Sequence, residues 1–491
     1  MKLSQLLENI EGVYQRAGDA EITGICHDSR SVRPGDLFVC IKGALFDPHE
    51  HVDDIVRKGA AAIVAEREID GPAGIPVFIA AHGRDASAHI AAAWYGHPAR
   101  RMTMIGITGS KGKTTTAYFL RAMLTAAGRR VGMIGTNGVF IGGTVIETPN
   151  TTPDPMDFQG YLAEMVRIGC TEAVIECSSQ GIMQSRVAGV DFDYGVFTNI
   201  SDSDHVGPPE HKDFAEYIFY KSRLIANARV SFVNADDEHT GELLALAGRT
   251  AHTFGFGENA ELRATGLTQT MKTGAPGTEF HCEGSVTGDF FVNMPGGFNV
   301  YNALAAISVA HALGVSQQAM QTALESTFIK GRIEMVYRSD ALSVCVDYSH
   351  NGYSMKNLLT ALREYHPRRL VSVFGADGYR VHKRRYEMGE VSGRYADFSI
   401  ITAGQNRWEK FEDILAEILE GIRKTGAPYI VIPDRKQAVR YAIEHAEPGD
   451  LIALIGLGGK KHYEEKGVMY DYREDVYAKS VLRELGYPVE E

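Results

Sequence analysis

The stretch GITGSKGKTTTAYFL, Gly106 to Leu120, decides the fold. It continues the apolar run MTMIGIT (Met102–Thr108), which reads as a buried strand. It then enters TTAYFLRAMLTAAG (Thr115–Gly128), which has helical periodicity and a glycine stop. The usual phosphate loop would need glycine at position 107, which is isoleucine here. The glycines are Gly106, Gly109 and Gly112, followed by Lys113 and Thr114. The physics still holds. Small residues let backbone N–H groups approach phosphate oxygens, and the helix N-terminus adds a dipole that favours anions. Lys113 is placed to reach terminal phosphates, and the Thr114 hydroxyl to ligate Mg²⁺. The candidate phosphate contacts are Gly109, Ser110, Lys111, Gly112, Lys113, Thr114 and Thr115.

Outward from this loop the chain keeps alternating strand and helix patterns. EAVIEC, GVFTNI and RVSFVN read as further buried strands of one mostly parallel sheet. Residues 250–295 change character and suggest a small antiparallel insert. Before the loop, LFVCIKG, AAIVAE and VFIAA read as strands and ASAHIAAAWYG as a helix, and YGHPARRM reads as a linker. After about Arg332 a second doubly wound pattern begins, with LSVCVDY, LVSVFGA, FSIITA, YIVIPD and LIALIGLG as its strands. The fold class is therefore α/β in three domains. Residues 1–98 form an N-terminal α/β unit, 99–331 a central unit of P-loop ATPase type, and 332–491 a C-terminal Rossmann-like unit.

Composition narrows the function. Apolar residues make up 44% of the 491, enough to bury several cores, so wholesale disorder is excluded. A net charge of −12 argues against a general nucleic-acid binder. The six cysteines (Cys26, Cys40, Cys170, Cys177, Cys282, Cys345) contain no CxxC pair and suggest neither a zinc site nor a disulfide framework. No apolar run is long enough to span a membrane, and MKLSQLLENIEG lacks the core of a signal peptide. A cytoplasmic protein acting on small molecules is expected.

A loop of this kind needs a carboxylate to hold its metal. The strand EAVIEC supplies Glu176, followed by Ser178 and Ser179. Downstream, FTNISDSDHVGPPEHKDFAEYIFYK offers His205 and His211 as candidate ligands and places Lys221 on a helix-like stretch. Alone, each has an ordinary surface reading. Together, GxTGxxGKTTT, ExSS, a histidine after TN and a helical lysine resemble the Mur ligase superfamily. HDSRSVRPGDLFVCIKG (His27–Gly43) and NTTP (Asn150–Pro153) resemble the tripeptide-forming branch of that family. GGFNVYNALAA (Gly296–Ala306), KGRIE (Lys330–Glu334) and DYSHN (Asp347–Asn351) resemble its nucleotide-side motifs. The resemblance runs from about residue 20 to 475.

The resemblance implies an ATP-dependent acid–amino-acid ligase of peptidoglycan precursor synthesis. The acceptor carboxylate of UDP-MurNAc-L-Ala-D-Glu would become an acyl phosphate, which an amine then attacks. It implies that Lys221 is carbamylated and, with Thr114, Glu176 and His205, holds Mg²⁺ at two sites. His205 is preferred to His211 by its place after TN. The catalytic set is then Lys113, Glu176, His205 and Lys221. Asn302, Arg332, Asp347 and His350 match ATP-side positions. Ser29 and the turn Gly43, Ala44, Leu45, Phe46 would hold the UDP end. Asn150, Thr151, Thr152, Ser178, Gln184 and Arg186 would hold the muramoyl dipeptide. A monomer is expected.

The third domain departs from the pattern. The family's DNPR stretch, which meets the distal end of diaminopimelate, appears here as Gly404, Gln405, Asn406, Arg407. Arg407 is kept, but the leading acid and the proline are not. Arg380 matches a second amino-acid-binding arginine, and Glu464 is the expected acid of an altered GKGHE motif. Two arginines favour an amino acid with an extra carboxylate, meso-diaminopimelate, over L-lysine. The same ligase chemistry on L-lysine or another amino acid stays open. More distant alternatives are a folylpolyglutamate synthetase-like ligase and a non-catalytic P-loop nucleotide switch.

Overall fold

Thr103–Thr108 is buried almost end to end because its sheet carries helices on both faces, so its sequence is an unbroken apolar run and not an alternation. This computed structural model describes residues 1–489 apart from 44–45, 71–73, 202–204, 208–209 and 273–274. On one face Ile105 and Ile107 pack with Phe119, Leu120 and Met123 of helix Lys113–Ala126 and with Val300, Leu304 and Ile307 of helix Gly297–Ala312. On the other face Met104 packs with Phe158, Leu162 and Met165 of helix Pro155–Arg167. Each such fully buried side chain contributes about 1.5–3 kcal/mol.

The neighbours of Thr103–Thr108 are Glu172–Glu176 and Phe192–Phe197, both parallel to it. The chain first builds the Val131–Gly135 side and later crosses to Ala228–Asn234 and His252–Gly255 on the other. The sheet thus reverses its winding at Thr103–Thr108, and the glycine loop leaves its C-terminal end at that switch point.

Two expectations gain detail here. The antiparallel strands expected within residues 250–295 are present and are joined edge-on to the central sheet. His252–Gly255 and Leu262–Lys272 continue the central sheet in parallel, and Ala275–Gly284 and Gly288–Val292 extend it antiparallel. Phe280, Phe290 and Val292 share the core under helix Gly297–Ala312, so these strands extend one layer and need no core of their own. At the opposite edge Gly138–Ile141 and Thr144–Ile146 add two more antiparallel strands, giving eleven among the described residues. The expected linker, Tyr95–Met102, is itself packed. Pro98–Arg101 is a 3₁₀ turn, and Ala99 and Met102 enter the core beneath helix Pro155–Arg167.

Among the described residues the N-terminal sheet has five strands, parallel except for Gly12–Arg16 at its edge. Met156 of the central unit is buried in its core with Leu37 and Val39, which docks the two units together. The C-terminal sheet has six strands. Leu342–Asp347, Asp450–Ile455, Arg369–Phe374, Phe398–Ile401 and Tyr429–Val431 run parallel, with Glu334–Arg338 antiparallel at the edge. A hairpin, His462–Glu465 with Val468–Asp471, stands beside it. All six cysteines are buried free thiols. No described helix is long and apolar enough to cross a membrane.

Candidate active site

The glycine loop is held by what surrounds it. Gly112 has φ +86°, and a methyl group there would lie 2.2 Å from Asn302 Oδ1. On the other side Thr198 Oγ1 donates to the Lys111 carbonyl at 2.6 Å, and Asn199 Oδ1 accepts from Lys111 N at 2.9 Å. Ser110 Oγ lies 2.8 Å from the Tyr217 hydroxyl. Lys113 Nζ donates to the carbonyls of Gly109 and Ser110 at 2.7 and 3.3 Å, so its ammonium lies folded over the loop.

Glu176 ends its strand with no exposed surface. Its carboxylate accepts from Thr114 Oγ1 at 2.9 Å, Thr136 N at 3.0 Å and Thr136 Oγ1 at 3.2 Å. Thr136 in turn lies 3.1 Å from Thr151 Oγ1. These are hard oxygen donors, the kind Mg²⁺ takes. Among the described residues no three His, Cys, Asp or Glu groups gather as a ready metal cage. The donor set fits a Mg²⁺ that completes its shell with phosphate oxygens and water.

The two histidines separate. His205 lines the cleft with φ +59°, and its Nδ1 lies 2.9 Å from Glu210 Oε2. His211 is fully buried against Tyr217, with Nε2 2.9 Å from Ser179 Oγ. Burial, helped by the nearby Lys221 charge, pushes the His211 imidazolium down from its usual range. Lys221 is buried on helix Phe214–Asn227, its Nζ 4.4 Å from the centre of the Tyr217 ring. His205 leans on the same ring, 5.9 Å between centres.

The third domain forms the facing wall of this cleft, which encloses about 290 Å³. Asp347 accepts from Ile333 N at 2.8 Å and from Ser349 Oγ at 2.6 Å, a tie that fixes the strand-end turn. Arg332 stacks over Tyr348 at 4.6 Å, and His350 Nε2 lies 3.4 Å from Lys111 Nζ across the domain boundary. Arg380 also lines the cleft, but its Nη1 pairs with Glu210 Oε1 at 2.9 Å. Arg384, which the sequence reading did not single out, pairs with Glu210 Oε2 at 3.2 Å. Burial alone would raise the Glu210 carboxyl, but the His205 hydrogen bond and the charges of His205, Arg384 and Arg380 hold it down at about 2.

The structure thus brings Ser110 to Thr115, Thr151, Glu176, Ser178, His205, Asn302, Arg332, Asp347, His350 and Arg380 to one cleft. Other candidates lie apart. Thr152 is buried and donates to the Glu176 carbonyl at 2.8 Å. Arg186 donates to the Thr152 carbonyl at 2.7 Å and to Gln184 Oε1 at 2.8 Å, so these three form a network behind Ser178. The Asn150 carbonyl accepts from Thr148 Oγ1 at 3.0 Å. In the N-terminal unit the Ser29 carbonyl accepts from Lys58 Nζ at 2.7 Å, Gly43 N donates to the Phe46 carbonyl at 2.9 Å, and Phe46 stacks on His51. Ala44 and Leu45 lie outside the described residues.

The stretch Gly404–Arg407 packs behind the Asp377–Gly378 turn. Gln405 N donates to Asp377 Oδ1 at 3.3 Å, and its carbonyl accepts from Gly378 N at 2.9 Å. The Asn406 side chain is buried beside it. Arg407 has φ +54°, donates to the Gly378 carbonyl at 3.1 Å and lies 3.8 Å from Glu464 Oε2. Thr136, Arg384 and Glu210 escaped the sequence reading because isolated threonine, arginine and glutamate residues carry no spacing signal. The one sequence clue is the lengthened loop VGPPEH, in which Glu210 sits.

Comparison with known proteins shows what the chain as a whole is similar to. The chain matches the Mur ligase family catalytic domain over residues 21–109, the Mur ligase middle domain over 107–310 and the Mur ligase glutamate ligase domain over 331–458. It is 37% identical to the UDP-N-acetylmuramoyl-L-alanyl-D-glutamate–2,6-diaminopimelate ligase of Caldanaerobacter subterraneus subsp. tengcongensis, over 99% of both chains. A solved structure of a ligase of that name superposes with a TM-score of 0.67 at 25% identity, over 95% of this chain and 96% of the other. The MurF ligase of Thermotoga maritima, solved with ADP, shares the fold at 20% identity, with a TM-score of 0.62 over 88% of this chain and 93% of the other. With three family models matching in order along the chain and a relative 37% identical from end to end, the chain belongs to the Mur ligase family.

Proposed function

We propose that this chain is an ATP-dependent ligase joining meso-diaminopimelate to the D-glutamyl carboxylate of UDP-MurNAc-L-Ala-D-Glu, in peptidoglycan precursor synthesis. The observation that carries the reading is identity of 37% from end to end with a ligase named for that reaction. The cleft supplies the physical account.

ATP is the co-substrate. The acceptor carboxylate attacks its γ-phosphate, giving ADP and an acyl phosphate. The amine of the amino acid then attacks the acyl carbon, and phosphate leaves. No protein nucleophile takes part. The loop N–H groups, Lys111 and Lys113 offset the charge of the phosphates in a water-poor cleft. Thr114, Glu176, His205 and a carbamate on Lys221 would hold two Mg²⁺, which when bound neutralise charge on the transferring phosphoryl group. Burial of Lys221 supports the carbamate, because a desolvated lysine gives up its proton readily and its neutral amine can add to CO₂. Asn302, Arg332, Asp347 and His350 line the nucleotide side, and the network of Thr152, Gln184 and Arg186 backs the muramoyl dipeptide.

For the amino acid, Arg407 and Glu464 stand together. The pair offers both signs of charge to the distal carboxylate and ammonium of diaminopimelate, so Glu464 replaces the acid missing from the DNPR-like stretch. L-lysine offers Arg407 no distal carboxylate. The test is phosphate release with ATP, Mg²⁺ and the acceptor, varying the amino acid among meso-diaminopimelate, L-lysine, L-ornithine and none. Turnover with diaminopimelate alone supports the reading. Turnover with another amino acid keeps the ligase and overturns the pocket, and absence of turnover with any of them overturns the acceptor.

A further inference from the structure

The Glu210 carboxylate is 2% exposed, yet it sits where two domains meet. Every charged or titratable group paired with it is cationic or a proton donor. Arg380 and Arg384 reach it from the third domain, and His205 from its own. Both carboxylate oxygens are occupied, Oε1 by Arg380 and Oε2 by Arg384 and His205. Arg384 is itself 4% exposed. A buried carboxylate shared by a buried arginine and a half-buried one is not given up readily, since its loss leaves the buried Arg384 cation uncompensated. An incoming amino acid therefore meets an Arg380 already committed on one face.

We infer that Glu210 is a positioning residue, an internal carboxylate that latches the third domain onto the phosphate cleft and fixes both His205 and Arg380 in their working orientations. The geometry gives it this double reach. One oxygen orients the imidazole on the central wall, and the other orients the guanidinium on the facing wall, so Arg380 is set only when the domains close on a carboxylate that His205 already holds. Arg384 serves the latch from the cleft wall, its guanidinium on the Oε2 side that His205 also uses. Arg380 presents to the amino acid only the face that Glu210 leaves it. The catalytic part of this inference rests on the ligase reading above, but the latch itself does not.

The test compares wild type, Glu210→Gln and Glu210→Asp in the full chain. Small-angle scattering without substrates reads domain closure. Steady-state phosphate release with saturating ATP and acceptor reads the amino-acid KM, and equilibrium binding of a non-hydrolysable ATP analogue reads the loop. Glu210→Gln is expected to enlarge the radius of gyration and raise the amino-acid KM about tenfold or more, with ATP-analogue affinity changed less than about twofold. Acceptor-dependent phosphate release without amino acid should rise, because water reaches the acyl phosphate in the open form. Glu210→Asp should recover most of each effect, which a merely structural loss would not. An unchanged radius together with an unchanged KM in folded Glu210→Gln overturns the proposal. Should that variant not fold, Arg380→Gln removes the more exposed partner and is read by the radius alone, because Arg380 also meets the amino acid; an unchanged radius then overturns the latch. A wild type that fails to turn over would sink the ligase reading, and the radius would still decide the latch.

Discussion

Around the phosphate loop, most polar contacts are made within the central domain. Thr198, Asn199, Tyr217 and Asn302 clasp the loop, and Thr114 and Thr136 donate into Glu176. On the wall facing it, Arg380 and Arg384 find their carboxylate across a domain boundary, in Glu210. The first region is preorganised, since its geometry exists whether or not the third domain is in place. The second is assembled by closure. The difference matches a reaction in two steps, in which phosphoryl transfer needs a rigid cradle and attack by the amine needs a site that opens to admit it.

The largest expected effect tests the rigid side. Lys221→Ala should lower turnover by about 10³, on the scale of losing a principal electrostatic group from an active site. Short-chain carboxylic acids at millimolar concentration should restore part of it by standing in for the carbamate. Full turnover in the unsupplemented variant would remove Lys221 from the site. It would leave the Tyr217 ring, which Lys221 and His205 share, as simple packing.

The assembled side is broken with acid. The folded-state pKa of Glu210, about 2, lies below the ordinary 4.5. Its stabilisation is therefore complete above the unfolded value and is lost as pH falls through 4.5 toward 2. Full protonation removes on the order of 3 kcal/mol, shared with the paired His205, Arg380 and Arg384. Urea midpoints of wild type and Glu210→Gln, taken at about pH 6 and about pH 3, should converge at the lower pH. Parallel shifts of both proteins would place the acid sensitivity elsewhere.

This contrast also marks what the sequence could reveal. The loop, Glu176 and the order of strands were legible because each rests on local spacing: an apolar run, glycines where backbone must approach closely, and a helix that follows at once. The Arg407–Glu464 pairing was reachable only through the altered family motifs. Glu210 with Arg380 and Arg384 was not legible, because the partners are some 170 residues apart in the chain and meet only when domains pack. The continuation of the central sheet through Leu262–Val292 was missed for a related reason. Antiparallel pairing can be read from alternation, but which edge receives a strand depends on the core beneath it, here Phe280 and Phe290 under helix Gly297–Ala312.

The finest test separates backbone strain from loop contact, using two glycines of similar conformation. Gly112 has φ +86° and Gly128 has φ +80°, one before and one after helix Lys113–Ala126. Alanine at either position bears the left-handed backbone cost of about 1–2 kcal/mol. At Gly128 nothing lies within 4 Å of the added methyl, so only stability should fall. At Gly112 the methyl would lie 2.2 Å from Asn302 Oδ1. Asn302 cannot swing aside without cost, because its amide donates to Asn299 at 3.2 Å and Asn299 donates to the Pro295 carbonyl at 2.8 Å. Gly112→Ala should therefore also weaken ATP-analogue binding, by about tenfold, on the 1.4 kcal/mol scale of one disturbed polar contact. Equal ATP affinities in the two variants would mean that Asn302 yields freely, and the loop would then be less rigid than its contacts imply.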